Sequence, residues 1–114
     1  MTTLVEGDLI WLPDDGAQGR EQAGKRPAIV VSVNAMNDIG MAMVCPITSH
    51  QGTAQGTRNP LEVALPKNLP IAGVVLCDQI KTVDWESRGA TRIANAGRTT
   101  LLEVRSRLRK LLGI

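Results

Sequence analysis

KRPAIVVSVNAMNDIGMAMVCPI, the segment from Lys25 to Ile47, contains two apolar runs separated by a short polar connection. The first run, Lys25 to Val33, is rich in β-branched residues, and the second, Ile39 to Ile47, is apolar along most of its length. Runs of this length and composition are typical of buried strands. The connection at Asn34 to Asp38 is short enough for antiparallel pairing. The segment therefore predicts a β-hairpin that turns near Asn37.

Arg26 and Thr48 lie at the open end of this predicted hairpin, each eleven residues from Asn37. Residues at equal distances from the turn of an antiparallel pair face each other. A guanidinium group and a hydroxyl group would then converge, and both can donate hydrogen bonds to an anion such as a phosphodiester. The two positions are equally compatible with a structural interpretation, in which Arg26 pairs with an acid of the preceding loop and Thr48 begins a turn.

Further short runs on both sides of the hairpin indicate a mainly β protein. Two long polar loops, Pro13 to Gly24 and Thr48 to Asn59, flank the hairpin, and loops of about 12 residues without secondary structure are usually functional. Apolar or alternating patterns outside the hairpin predict four more strands. These are Gly7 to Leu12, Leu61 to Leu65, Gly73 to Val83 and Thr91 to Ala94.

The end of the chain has helical periodicity. Its apolar residues recur at helical spacing, and basic residues occupy the other face and the last turn. Thr100 with Glu103 fits a capping box, and Gly113 fits a helix stop. Five or six short strands followed by one amphipathic helix favour a small barrel or bent sheet over a βαβ fold. The apolar positions of the helix are Leu101, Val104, Leu108 and Leu111.

The composition sets bounds on size, location and partners. A chain of 114 residues with 43% hydrophobic content fits one domain, residues 1–114, whose small core would gain from a subunit partner. Two Trp residues with no Phe or Tyr argue against aromatic base-stacking platforms. The first residues lack a signal-peptide pattern, and no run approaches the roughly 20 apolar residues of a membrane span. We therefore expect a cytoplasmic protein that does not bind a membrane.

The cysteines and the single histidine do not form a recognisable metal site. Cys45 and Cys77 both lie within apolar runs, which predicts free buried thiols in preference to a disulfide or a redox site. Together with His50 they show none of the spacings typical of zinc ligands. No metal and no cofactor are expected.

Six segments of the chain resemble the MazF/PemK toxin family in order and spacing. They are GDLIW, EQAGKRPAIV, CPIT, LEVAL, GVVLCDQIKTVDW and the terminal LLEVRSRLRKLL, which together span nearly the whole chain. The resemblance implies an SH3-like barrel of the CcdB/PemK type, a homodimer and sequence-selective cleavage of single-stranded RNA, including mRNA. It also implies inhibition by a cognate antitoxin whose C-terminal segment lies across the toxin dimer.

The resemblance assigns catalytic roles to three residues. The family's essential arginine corresponds to Arg26, and its essential threonine corresponds to Thr48, the same pair that the hairpin brings together. The RNA 2′-hydroxyl would attack the adjacent phosphate, with Arg26 stabilising the developing charge and Thr48 donating a hydrogen bond to the same phosphate. Glu21, in EQAG, matches a further family position. It would accept a proton or orient Arg26, or it would be a loop carboxylate that forms a structural ion pair with Arg26 or Lys25.

Other positions are RNA-binding candidates. Asp78 and Gln79 match the DQ of the family, although Leu76 stands where some PemK-type members have an arginine that acts with the aspartate. The basic candidates are suited to phosphate contacts, and solvated surface charge explains them equally well. They are Lys25, Arg58 and Lys81.

A second class of function shares this fold. CcdB-like toxins poison DNA gyrase by binding it and cleave nothing, and such a protein has no need of a phosphate-binding pair. The pair formed by Arg26 and Thr48 therefore favours a metal-independent endoribonuclease over a gyrase poison.

Overall fold

The computed structural model describes residues 3–13, 24–49 and 60–114 of the chain. Within these ranges seven strands, two helices and one 3₁₀ turn follow one another along the sequence. The strands are β1 (Asp8–Pro13), β2 (Lys25–Val30), β3 (Met41–Thr48), β4 (Glu62–Ala64), β5 (Val74–Leu76), β6 (Lys81–Asp84) and β7 (Thr91–Asn95). The helices are α1 (Asn34–Asn37) and α2 (Arg98–Leu112), and the 3₁₀ turn is Cys77–Gln79.

Every pairing of the sheet is antiparallel, and β3 is its central strand. The order is β4-β5-β3-β2-β1-β7, with β6 pairing with β3 outside this path. On one edge β3 pairs with β2, and on the other it pairs first with β6 and then with β5. The predicted mainly β fold with a C-terminal helix is confirmed. The sheet is compatible with an SH3-like barrel, although no pairing among the described residues closes it into a ring.

Both faces of the sheet carry buried apolar side chains. Successive side chains of a strand point to opposite faces, and each face packs into its own apolar cluster. On β2, Ile29 belongs to the cluster that lies under α2, whereas Ala28 and Val30 belong to the cluster on the opposite face. The helix contributes Leu101 and Val104 to the first cluster. Each large side chain buried in this way contributes about 1.5–3 kcal/mol to the free energy of unfolding. The two clusters hold the hairpin of β2 and β3 between them.

The predicted continuous strand from Gly73 to Val83 is wrong, because the chain leaves the sheet in its middle. Thr48 pairs with Val74 and Val44 pairs with Lys81. Four steps along β3 therefore face seven steps along the segment from Val74 to Lys81. The three additional residues form the Cys77–Gln79 turn. An apolar run does not reveal such an insertion.

The connection between β2 and β3 also differs from its prediction. The first strand ends at Val30, short of the predicted Val33, and residues 34–37 form the short helix α1. The side chain of Ser32 explains the early end, because its hydroxyl accepts a hydrogen bond from the Met43 N–H at 3.0 Å and so takes the place of a backbone partner.

The terminal helix is confirmed, but its predicted capping box is not. The helix begins at Arg98, so Gly97, with a φ of 94°, is the N-cap, and no side chain caps the helix. Thr100 is 4% exposed and lies within the first turn. Gly113 ends the helix with a φ of 75°, as predicted, whereas Leu111 is 41% exposed despite its apolar spacing. Among the described residues, no helix is long and apolar enough to cross a membrane.

Candidate active site

The β2–β3 hairpin has the register that the sequence predicted. Each observed pair of residues across β2 and β3 is centred on position 37, as the predicted turn near Asn37 requires. Continued by two residues within the bounds of both strands, this register places Arg26 opposite Thr48. The observed pairs are Ala28 with Pro46, Ile29 with Cys45 and Val30 with Val44.

Arg26 and Thr48 lie on the same face of the sheet, at the point where its apolar core gives way to solvent. Side chains two residues apart share a face, and Ala28 belongs to the cluster opposite α2. Arg26 is exposed and Thr48 is half-buried. Leu12 lies opposite Arg26 on β1, and Val74 lies opposite Thr48 on β5. The two polar residues therefore stand between apolar positions, an arrangement suited to an anionic group bound at the end of the sheet.

Lys25 and Trp11 lie on the other face at this end. The Lys25 Nζ atom is 5.9 Å from the centroid of the Trp11 ring, within range of a cation–π interaction. Since neighbouring residues of a strand point to opposite faces, Lys25 and Arg26 do not share a face. A ligand bound at Arg26 would reach Lys25 only around the end of the strand.

The remaining described RNA-binding candidates are all exposed. Asp78 and Gln79 lie on the 3₁₀ turn beside β3. Lys81 begins β6 opposite Val44, on the same face as Thr48. Thr48 is four positions along β3 from Val44, which corresponds to roughly 13 Å. Glu21 and Arg58 lie outside the described residues, so their places in the site stay predictions. His50 also lies outside the described residues.

The two cysteines lie close to this site and are free and buried, as predicted. Cys45 precedes Thr48 by three residues on β3, and Cys77 begins the 3₁₀ turn. A hydrogen bond between the two thiols lowers the pKa of Cys77 and raises the pKa of Cys45. The pair is part of the packing between β3, the turn and α2.

Asp8 is a structural residue that sequence reasoning treated only as part of the GDLIW motif. Its carboxylate is fully buried and accepts hydrogen bonds from the Val5 N–H at 2.8 Å, the Arg92 Nε at 2.9 Å and the Asn95 Nδ2 at 3.0 Å. These bonds join the start of β1 to β7. An acid directly before an apolar strand was the signal available in the sequence.

A second structural network joins α2 to the hairpin. Arg105 donates two hydrogen bonds to the Val31 carbonyl, at 2.8 and 3.1 Å, and forms an ion pair with Glu6 at 3.2 Å. The pKa of Glu6 is lowered, first by a hydrogen bond from the Asn34 N–H and then by Arg105. This network lies at the turn end of the hairpin, away from Arg26 and Thr48.

Residues 6–112 match the family described as the PemK-like, MazF-like toxin of type II toxin-antitoxin systems. The chain belongs to this family. It is 37% identical over 108 residues to the endoribonuclease toxin MazF of Escherichia coli (strain K12), an alignment that covers 94% of this chain and 92% of the relative. The family assignment therefore rests on nearly the whole length of both proteins.

Solved structures of MazF proteins have the same fold. A crystal structure of MazF from Deinococcus radiodurans superposes with a TM-score of 0.82 at 40% identity and covers 100% of both chains. A crystal structure of the MazE-MazF complex from the same organism gives a TM-score of 0.81 at 37% identity and covers 100% of this chain and 99% of the other. The PemK/MazF fold thus accounts for all the described elements.

Proposed function

We propose that this chain is the toxin of a type II toxin-antitoxin system and acts as a sequence-specific, metal-independent endoribonuclease on single-stranded RNA, including mRNA. The observation that carries the proposal is the register of β2 and β3, which brings Arg26 opposite Thr48 at the exposed end of the sheet when it is extended by two residues. Its support comes from the family and from relatives that are themselves endoribonucleases. Cleavage of mRNA by this protein would inhibit translation and growth.

In the proposed mechanism the RNA supplies its own nucleophile. The 2′-hydroxyl attacks the adjacent phosphorus, the bond to the 5′-oxygen breaks, and the products are a 2′,3′-cyclic phosphate and a 5′-hydroxyl. Arg26 stabilises the charge on the non-bridging oxygens and is placed to protonate the leaving oxygen, while Thr48 donates a hydrogen bond to the same phosphate. Glu21 is proposed either to accept the 2′ proton or to orient Arg26.

Substrate binding is proposed to extend from this pair over the nearby exposed residues. Lys81 lies on the same face and Lys25 around the end of β2, so a flexible single strand can contact both while its scissile phosphate remains at Arg26. Such phosphate contacts add affinity without sequence preference. The full set of proposed RNA-binding residues is Lys25, Arg58, Asp78, Gln79 and Lys81.

The proposed partners are a second copy of the chain and an acidic antitoxin that covers Arg26. The Deinococcus radiodurans structure, in which MazF is bound to MazE, supports the antitoxin. The small core of a single-domain chain, residues 1–114, supports the homodimer. We also propose that the protein acts in the cytoplasm, where mRNA is available. Sedimentation at micromolar concentration tests the dimer, and a monomer there would contradict it.

The decisive experiment is incubation of the pure protein with a long RNA in EDTA. We expect cleavage at a preferred sequence, with 2′,3′-cyclic phosphate and 5′-hydroxyl ends. A matched substrate with one 2′-deoxy nucleotide just upstream of the scissile phosphate should bind nearly as tightly and resist cleavage, since only the nucleophile is missing. Cleavage of the deoxy substrate, or a requirement for Mg²⁺, would exclude internal attack. If neither the unmodified RNA nor the deoxy substrate is cleaved, the result would favour a CcdB-like gyrase poison.

A further inference from the structure

Gly73 approaches the backbone of Thr48 more closely than any side chain would permit. It directly precedes β5 with a φ of +149°, and a Cβ atom at this position would lie 2.4 Å from the Thr48 carbonyl oxygen. The same Cβ would lie 2.9 Å from the Ile47 Cγ2 atom. Contacts between real Cβ atoms and other heavy atoms are essentially never shorter than 3.0 Å. The close approach therefore requires glycine.

Among the described glycines with positive φ, Gly73 differs in what surrounds it. A Cβ at Gly97 or Gly89 would meet nothing within 4 Å, and a Cβ at Gly7 or Gly40 would meet only the side chains of Asn95 or Glu86. Those side chains can rotate away. At Gly73 the closest obstacle is the main chain of Thr48, which is itself held in the β3–β5 ladder by its pairing with Val74.

We infer that Gly73 is a positioning residue for the RNA-cleaving site, setting where Thr48 stands relative to Arg26. The inference rests on the proposed function. Gly73 is fixed from its other side, because its carbonyl accepts a hydrogen bond from the Leu65 N–H at 2.9 Å. Ordinary van der Waals contact begins at 3.4 Å, whereas a Cβ added at Gly73 would lie 2.4 Å from the Thr48 carbonyl oxygen. The added methyl group must therefore displace the Thr48 backbone by about 1 Å. A misplacement of about 1 Å can reduce the rate of a positioned reaction by roughly a hundredfold.

The test compares Gly73→Ala with the matched control Gly97→Ala. Both replacements introduce the same methyl group at a positive φ, but only the first meets an obstacle, and Gly97 lies at the start of α2. We expect kcat to fall by up to about tenfold for Gly73→Ala, the loss expected when the Thr48 hydroxyl itself is removed, with KM nearly unchanged. The kcat of the control should stay close to that of the wild type. Equal kcat values for the two variants would overturn the inference.

A double-mutant cycle separates positioning of Thr48 from a general structural effect. If Gly73 acts through Thr48, then Gly73→Ala should lower kcat only slightly further in a Thr48→Ala background, because the group it positions is already absent. Equal losses in both backgrounds would mean that Gly73 does not act through Thr48. If Thr48→Ala and Arg26→Ala themselves leave cleavage intact, the proposed function fails, which is a different outcome.

Reduced folding of Gly73→Ala is handled by measuring activity for each folded molecule. A stabilising osmolyte such as trimethylamine N-oxide raises the folded population, which circular dichroism measures in parallel with cleavage. A rate for each folded molecule that stays low supports the inference. Recovery of the wild-type rate as folding recovers would assign the loss to stability and overturn it.

Discussion

The two ends of the β2–β3 hairpin have different surroundings for their polar groups. At the turn end, Asn37 is fully buried, and its side-chain amide is hydrogen-bonded to Ser32. At the open end, Arg26 is exposed and Thr48 is half-buried. The same two strands thus carry a closed polar network at one end and polar groups accessible to solvent at the other.

The turn-end network shows how buried polar groups are satisfied. Ser32 Oγ donates to the Asn37 side-chain oxygen, and Asn37 Nδ2 donates to the Ser32 carbonyl at 3.2 Å. The Trp85 Nε1 donates to the Asn37 carbonyl at 3.0 Å and so joins the β6–β7 connection to this turn. A buried polar group left without a partner costs about 1–3 kcal/mol. The difference between the ends teaches that polar residues at the turn are buried and stabilise the fold, whereas those at the open end are at least partly exposed to solvent.

Replacing Arg26 gives the largest expected effect and tests the open end. Arg26→Ala should lower the cleavage rate by on the order of a hundredfold or more, because it removes the donor proposed to stabilise the transition-state charge, while the protein remains folded. The exposed α2 residue Arg109 supplies the control, since Arg109→Ala removes the same side chain elsewhere. Cleavage assays and thermal denaturation of both variants provide the measurement. Near-normal cleavage by Arg26→Ala would remove the distinction between the two ends.

The reciprocal effect is expected at the turn end. Asn37→Ala should lower the free energy of unfolding by about 2 kcal/mol, because the buried Ser32 hydroxyl and carbonyl lose their partner. The cleavage rate of the folded protein should not change. Asn34→Ala is the control and should lose less stability, since Asn34 is exposed at the same turn and its side chain gives up one exposed hydrogen bond, from the Glu6 N–H at 2.9 Å. Chemical denaturation measures the stability, and a loss of activity in folded Asn37→Ala would show that the ends are coupled.

Thr48 should give a smaller loss of activity than Arg26. Thr48→Ala removes one hydrogen bond to a charged phosphate, for which we expect about a tenfold slower reaction. Thr48→Ser keeps the hydroxyl and should retain part of that activity. Single-turnover cleavage rates distinguish the two variants. Wild-type activity in Thr48→Ala would reduce Thr48 to a residue of the turn.

The smallest expected effect concerns the pH dependence of the turn end. The pKa of Glu6 is lowered from its ordinary value of 4.5, so its contribution to stability is present above that value and is lost as the pH falls through the folded-state pKa. Because Glu6 is partly exposed to solvent, the contribution should be below about 1 kcal/mol. Glu6→Gln should therefore be slightly less stable than the wild type at neutral pH, and the difference should vanish in acid. Urea denaturation across this pH range measures it, and a constant difference would contradict the assignment.

The parts that could be predicted from the sequence were those governed by periodicity. The hairpin centred near Asn37 and the terminal helix follow from equal spacing, strand alternation and helical repeats. The position of Arg26 opposite Thr48 stays a prediction that this register supports. An apolar run has no signal for a change of register, so the Cys77–Gln79 turn was missed. The Asp8 network was missed because Arg92, one of its donors, is distant in sequence.

The three-residue insertion at Cys77–Gln79 has a consequence for association between molecules. By moving the chain out of the sheet and back, it allows two short strands to cover successive parts of one edge of β3, while β2 covers the other edge. The longest strand of the described sheet, eight residues, therefore lies in the interior. The ends of the strand path are β4, with three residues, and β7, with five. Short terminal strands offer little template for edge-to-edge pairing, which disfavours aggregation through the sheet.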